Sequence, residues 1–289
     1  MTINWGLLQF AVFLSMFATL AIAERIWPRR KRVLELVSRW SANMGFTVVN
    51  ALTGMAVHLV IPTIAVAAAI YAQENGIGLF PAIDAPLWVA VPLTMAALDL
   101  ALYAFHVACH KLPLLWSFHR VHHLDLEVDA TTAFRSHPFE YVSSQLLKLG
   151  VIYALGAPPI AVLVYEILLN IFAMFSHSNV RLSDGIDRGL RWLVVTPDMH
   201  RVHHSTYQPE TDSNYGVVTP LWDRLFGTYL EAPRDGQTGM AIGLDEVRGR
   251  EAYNLFWLVA VPFISFKALG KSKVETVSLS ATTSLRTTA

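Results

Sequence analysis

The 289-residue chain has a single cysteine, Cys109, so no intrachain disulfide can staple it. Charge is scarce: 15% of residues are Asp, Glu, Lys or Arg, with 22 of each sign and a formal net charge of zero. An ordinary soluble domain carries about 25% charged residues. With a formal net charge of zero, nothing in the composition points to nucleic acid. No glycine-rich phosphate loop and no G-x-G-x-x-G fingerprint occurs, which argues against a nicotinamide or flavin bound by this chain. Lys and Arg are missing before Arg25 and again between Arg39 and Lys111. The only internal repetition is a short histidine pattern.

Apolar residues fill the space that charge leaves. The chain is 54% hydrophobic, with a mean hydropathy of +0.42. Three apolar segments, Trp5 to Ala23, Met44 to Tyr71 and Leu87 to Cys109, each reach the roughly 20 residues that a helix needs to cross the hydrocarbon layer. Pro62 lies inside the second and predicts a kink or tilt there. After the first come Arg25, Arg29, Arg30, Lys31 and Arg32, a cytoplasmic marker by the positive-inside rule. The connection from Ala72 to Pro86 has no basic residue, as suits the opposite side. This pattern places the N-terminus outside and the end of the third helix at the cytoplasmic face. Ala21-Ile22-Ala23 resembles a signal-peptidase site, but no positive charge precedes the apolar stretch and a basic cluster follows it, so a retained helix fits better.

A further apolar stretch, Tyr141 to Phe175, is interrupted by Gly150 and by Gly156-Ala157-Pro158-Pro159. With His137 before it and His177 after it, a re-entrant helical hairpin keeps both flanks on one face, with Lys148 snorkelling or facing a cavity. Asn179 to Arg250 is polar and reads as a cytoplasmic cap. The run Tyr253 to Phe266, flanked by basic residues and containing Pro262, reads as interfacial. The Ser- and Thr-rich tail beyond Lys273 reads as disordered. The expected fold is an all-α integral membrane protein: three spanning helices, the hairpin and a histidine-rich cap. Its expected divisions are N-terminal helices over 1–98, a catalytic unit over 99–235 and an interfacial helix with tail over 236–289.

Ten of the eleven histidines fall between His106 and His204. Eight form three motifs: His106-x-x-x-His110, His119-x-x-His122-His123 and His200-x-x-His203-His204. Neutral imidazole is the commonest metal ligand near pH 7, and eight exceed what one ion uses. On a helix, residues three or four apart share a face, whereas adjacent residues diverge by about 100°. His106 and His110 therefore point the same way, and the adjacent pairs His122–His123 and His203–His204 can serve two neighbouring metals. The alternative is a set of hydrogen-bonded polar histidines with no metal. Cys109, between histidines, reads as a small packed helix residue rather than a ligand. His58 reads as a packed helix histidine.

Asp99, Tyr103, His106 and His110 follow one another at i, i+4, i+7 and i+11, a continuous stripe. A carboxylate amid Met95-Ala-Ala-Leu-Asp-Leu is costly without a partner, and holding a metal-binding imidazole is the expected use; binding Arg or backbone for packing is the alternative. Asp198, Asp212 and Asn214 are weaker candidates of the same kind.

The three motifs, with Arg135-Ser-His137-Pro-Phe-Glu140, Ser176-His177-Ser178-Asn179, Asn214-Tyr215-Gly216 and Trp222-Asp223-Arg224-Leu-Phe-Gly227-Thr228-Tyr229, resemble the fatty acid hydroxylase/sterol desaturase superfamily. The resemblance runs from about Asp99 to Tyr229. It implies a membrane-embedded non-haem di-iron centre that uses O2 to hydroxylate or desaturate a lipid, with the eight motif histidines and His177 as ligands. His137 belongs to a family-like element and either binds metal or orients Glu140, so Asp99 and Glu140 are the acidic residues expected to support catalysis. The resemblance also implies a separate electron donor of cytochrome b5, ferredoxin or reductase type. The expected location is a bacterial inner membrane, or the endoplasmic reticulum in a eukaryote, with the active site on the cytoplasmic face. Sterol, fatty acyl lipid, aminolipid, carotenoid and alkyl ether all fit as substrates. Rival readings are a bis-histidine haem electron carrier, a membrane metallohydrolase and a metal transporter or storage protein.

Overall fold

The computed structural model describes residues 5–59 and 64–264. Eleven helices organise it: α1 (Trp5–Ile26), α2 (Leu36–His58), α3 (Ala65–Glu74), α4 (Leu87–Lys111), α5 (Pro113–His123), α6 (Pro138–Leu155), α7 (Pro159–His177), α8 (Asp184–Leu190), α9 (Pro197–His203), α10 (Leu221–Phe226) and α11 (Leu255–Ala260). Among the described residues there is no β-strand, only isolated bridges such as Pro28 with Val180. The fold is all-helical, as the composition predicts.

Among the described residues, three helices are long and apolar enough to cross a membrane: Gln9–Ile26, Leu87–Lys111 and Pro159–His177. The first and second agree with the expected spans. The segment Met44 to Tyr71 does not form the single helix expected of it. Instead α2 begins earlier, at Leu36, and ends at His58, and α3 starts at Ala65. Pro62 falls between them in sequence, where a missing N–H works against a continuous helix. The early start of α2 follows from Arg39 and Asn43, which are buried and paired rather than solvated.

Helix polarity determines where the site lies. Glu24, in the last turn of α1, accepts from the backbone N–H of Ala130 and Asn179. Arg39, in the first turn of α2, reaches Asp125 just beyond α5. Glu140, in the first turn of α6, reaches His119, and His177 ends α7 beside His122. All these helix ends therefore meet at one pole. At the opposite pole Gly78 packs on Gly156, with φ of 104° and 63° respectively. A Cβ on Gly78 would lie 2.1 Å from the Gly156 nitrogen, so the α3–α4 connection and the α6–α7 turn touch backbone to backbone.

The helices α6 and α7 run out from the histidine pole and back to it. Lys148 on α6 is buried, and its Nζ lies 2.6 Å from Glu166 Oε1 on α7. The charge that looks awkward in the sequence is thus paired across the hairpin. The core between these helices joins Ala65, Ala68 and Ala69 of α3 to Leu98 and Leu102 of α4, Ile152 of α6 and Tyr165 of α7. The alanines allow α3 to sit close against its neighbours.

The apolar run that follows Tyr253 forms α11, which packs Leu258 against Phe46, Val121 and Leu124 while Phe256 and Phe263 stay exposed. The expected disordered tail lies outside the described residues.

Candidate metal centre

Two short helices carry most of the histidines. Pro113 opens α5, which presents His119, His122 and His123 in its last turns. Thr196 caps α9 by accepting from the Met199 N–H, Pro197 follows, and the helix delivers His200, His203 and, at its C-cap, His204. The last turns of α4 add His106 and His110, and the end of α7 adds His177.

These side chains gather into two groups. His106, His110, His119, His123 and His203 form one; His122, His177, His200 and His204 form the other. Within each group the ligand atoms lie within 4.8 Å of one another. The triplets are used in a crossed manner. His119 and His123 go to the first group and His122 to the second, whereas His200 and His204 go to the second and His203 to the first. This is the divergence that helical spacing predicts for adjacent histidines.

The hydrogen bonds support metal binding. His106 Nδ1 lies 2.8 Å from the Tyr215 carbonyl, and His119 Nδ1 lies 2.7 Å from Glu140 Oε1. Both partners are acceptors, so each Nδ1 holds its ring's proton. The two Nε2 lone pairs then face each other across 3.1 Å. Neutral imidazoles so placed repel unless a cation lies between them. Metal–imidazole bonds of about 2.0–2.1 Å put neighbouring ligand nitrogens about 3.0–3.4 Å apart, and the observed spacing matches. In the second group His177 Nδ1 donates to the Ala173 carbonyl at 2.7 Å, leaving its Nε2 3.0 Å from both His122 Nε2 and His200 Nε2. His203 Nδ1 donates to the Ser213 carbonyl, and its buried Nε2 has no hydrogen-bond partner. Both ring nitrogens of His110 and of His204 are likewise unpartnered and buried. The donor set fits two metal ions.

Burial is severe, and it holds the rings neutral and available. Burial, then neighbouring histidines, pushes His122, His123, His200 and His204 well below the ordinary histidine pKa. Burial first, then His119, brings His203 down to about 3.

The acidic residues divide differently from expectation. Glu140 Oε1 lies 2.7 Å from His119 Nδ1, a pairing that the sequence reading did not assign. Asp99 reaches neither His106 nor His110: its Oδ2 accepts from Trp222 Nε1 at 2.8 Å and its Oδ1 from the Tyr165 hydroxyl at 3.1 Å. The stripe on α4 is real, but Asp99 faces the chain returning from the cap. His137 belongs to neither metal group. Its Nδ1 caps α6 by accepting from the Phe139 N–H, and its Nε2 lies 3.2 Å from the Val259 carbonyl, so both ring nitrogens have protein partners. Asp198 pairs with Arg29 and Arg201 rather than with a histidine. Asp212 lies 3.4 Å from His110 Nδ1 without the alignment of a hydrogen bond, and takes Lys111 at 2.8 Å. Cys109 is buried close to His119 and Glu140, and His58 is in neither group.

Asp223 carries a role that the sequence reading did not assign. Fully buried, it accepts from the Tyr215 N–H, the Gly216 N–H and the Thr228 hydroxyl at 2.7–2.8 Å. It thereby fixes the peptide whose carbonyl holds His106. A Cβ on Gly216 would meet Asp223 Oδ2 at 2.7 Å, so glycine is required there. Its signal was present in the Asn214-Tyr215-Gly216 and Trp222-Asp223 motifs, but not its direction of action. A second buried network joins Arg39 to Asp125 and Asp129 at 2.9–3.0 Å, with Asn43 and Thr132 also on Asp125. Burial opposes the Asp125 charge, yet Arg39 and Arg135 hold its carboxyl well below the usual range. It locks the chain two residues beyond His123.

The fatty acid hydroxylase family matches residues 91–228, the segment that supplies all nine clustered histidines. An ornithine lipid hydroxylase, OlsE, of Rhizobium tropici is 27% identical over 263 residues, covering 87% of this chain and 74% of that protein. Alkylglycerol monooxygenases of Xenopus tropicalis and Danio rerio are 31% and 33% identical, over 48% and 47% of this chain. The chain spans only 30% of the length of either. No solved structure matches it.

Proposed function

For a chain that fits the fatty acid hydroxylase superfamily, we propose the O2-dependent hydroxylation of a membrane lipid at two irons, one per histidine group. The observation that carries this reading is the facing Nε2 pair of His106 and His119, each with its proton committed elsewhere, inside a set of nine converging imidazoles. Iron, when bound there, would supply the redox chemistry of O2 that no side chain of this protein can perform. One oxygen atom replaces a C–H hydrogen as a hydroxyl. The other leaves as water, using two electrons from a separate donor and two protons.

The protein's own part is positional. Tyr215, Ala173 and Ser213 carbonyls and the Glu140 carboxylate fix which nitrogen of His106, His177, His203 and His119 keeps its proton. Burial of both groups keeps bulk water from the reacting carbon. Position supports a lipid substrate, since the groups sit at the end of helices that are themselves apolar enough to cross a bilayer. The basic residues Arg25 to Arg32 at the same pole support a cytoplasmic face, where a soluble donor can approach. The relatives' names favour hydroxylation over desaturation and an aminolipid or ether lipid as substrate class.

The test is lipid mass spectrometry of bacteria with and without the expressed chain, grown under 18O2. A lipid that gains one labelled oxygen in expressing cells is the expected product. Loss of two hydrogens without added oxygen would make the enzyme a desaturase, and an unlabelled hydroxyl would make it a hydrolase or hydratase.

A further inference from the structure

The polar segment after α7 would be expected to rest above the bilayer, yet α10 does not lie at that level. Trp222 donates to Asp99, and Phe226 stacks on Tyr103 with ring centroids 5.6 Å apart. Both partners lie well inside α4. The exposed polar residues Gln73, Glu74, Asn75 and Asp84 stand just before Leu87, so they place the distal water boundary at the start of α4. Asp99 follows Leu87 by twelve residues, or about 18 Å of helix. A hydrocarbon layer of about 30 Å then ends near His106. At that setting α10 runs alongside α4 below the near boundary.

The surface of α10 suits that depth. Leu221 and Leu225, one turn apart, are 53% and 64% exposed, and Phe226 is 56% exposed. The neighbouring turn adds Trp192 and Leu193, both largely exposed. The one cation on α10, Arg224, is folded away: its guanidinium stacks on the rings of Trp192 and Tyr229 and donates to the Arg191 carbonyl. The polar groups that face inward, Asp223 and the Trp222 indole, are all bonded to protein. An exposed Leu-Leu-Phe face with its charge masked is what a lipid-facing element requires.

We propose that α10 and the Trp192–Leu193 turn are seated in the hydrocarbon edge of the bilayer beside α4, so that the lipid itself clamps the segment whose Asp223 holds the His106 partner. This rests on the reading of α4 as a membrane span. The bilayer is thus a structural partner of the five-histidine group, and the cap wades into the membrane instead of covering it.

The test uses the full chain, metal-loaded and in liposomes, with single added cysteines carrying bimane. Cys109, the lone native cysteine, is buried. Leu221→Cys and Leu225→Cys are compared with Leu93→Cys as the lipid reference and Arg234→Cys as the water reference. Expected are quenching by acyl-brominated lipid equal to that at 93 and iodide quenching several-fold weaker than at 234. Iodide quenching at both 221 and 225 equal to that at 234, with 93 still lipid-quenched, overturns the inference alone. Strong iodide quenching at 93 overturns the membrane reading of α4 and the inference with it. Two α10 positions are used so that misfolding of one variant leaves the other to decide.

Discussion

His122 and His123 are consecutive, yet their rings stand 5.4 Å apart at 87° and belong to different metal groups. One helical step thus separates the two histidine groups. His122→Ala should therefore strip iron from the four-histidine group while the five-histidine group keeps its own, and turnover should fall to background. Iron analysis of purified wild type and variant checks this. Loss of both irons would mean that the groups bind cooperatively, and full activity would remove His122 from the ligand set.

Glu140 holds His119 through its Nδ1 proton. Glu140→Gln keeps the shape but offers a weaker, neutral acceptor. Turnover or iron affinity should drop by about 10- to 100-fold, the usual cost of losing such an orienting group. The readouts are kcat and iron content in parallel; normal values in both would show that His119 is held in place by other contacts.

Asp223 and Asp99 can be told apart. Asp223→Asn places an amide against the Tyr215 or Gly216 N–H, costing about 1–3 kcal/mol for the donor left unpaired. It should also lower iron in the five-histidine group, because the Tyr215 carbonyl shifts. Asp99→Asn perturbs Tyr165 and Trp222 and should lower thermal stability with little change in iron per folded chain. Equal iron loss in both would place Asp99 closer to the metal than its hydrogen bonds indicate.

At the distal pole, Gly78→Ala should destabilise by about 1–3 kcal/mol or more, since it combines a φ reserved for glycine with a collision against the Gly156 backbone. Iron stoichiometry of whatever folds should be unchanged, as the two sites lie at opposite ends of the bundle. Thermal unfolding in detergent measures the first effect, and metal analysis the second.

The metal-free protein should weaken in acid. His203 is held down to about 3, and its neighbours are also pushed well below the ordinary value. In the unfolded chain these rings titrate near about 6.5. Above that pH neither state is protonated and stability is flat. As pH falls from about 6.5 toward about 3, the unfolded chain takes up protons that the buried rings refuse, so stability drops. Melting of chelator-treated protein between pH 8 and pH 5 should show the decline; a pH-independent melt would mean that the metal-free cluster opens to water.

The sequence alone determined the all-helical membrane class, two of the three apolar helices that qualify as spans among the described residues, and the motifs that carry the nine clustered histidines. Those features are periodic and local: apolar run length, basic flanks, and i, i+3, i+4 spacing that sorts imidazoles onto faces. Tertiary structure decided what periodicity cannot express. That both ring nitrogens of His137 find protein partners depended on where the Val259 carbonyl comes to rest, more than a hundred residues away. Asp99 was on the right stripe, but its partners are Tyr165 and Trp222, set by how α7 and the cap return to α4. The crossed division of the two triplets likewise required α5 and α9 to meet face to face. A side chain's direction on its own helix is written in its spacing; the partner it finds there depends on how distant segments pack.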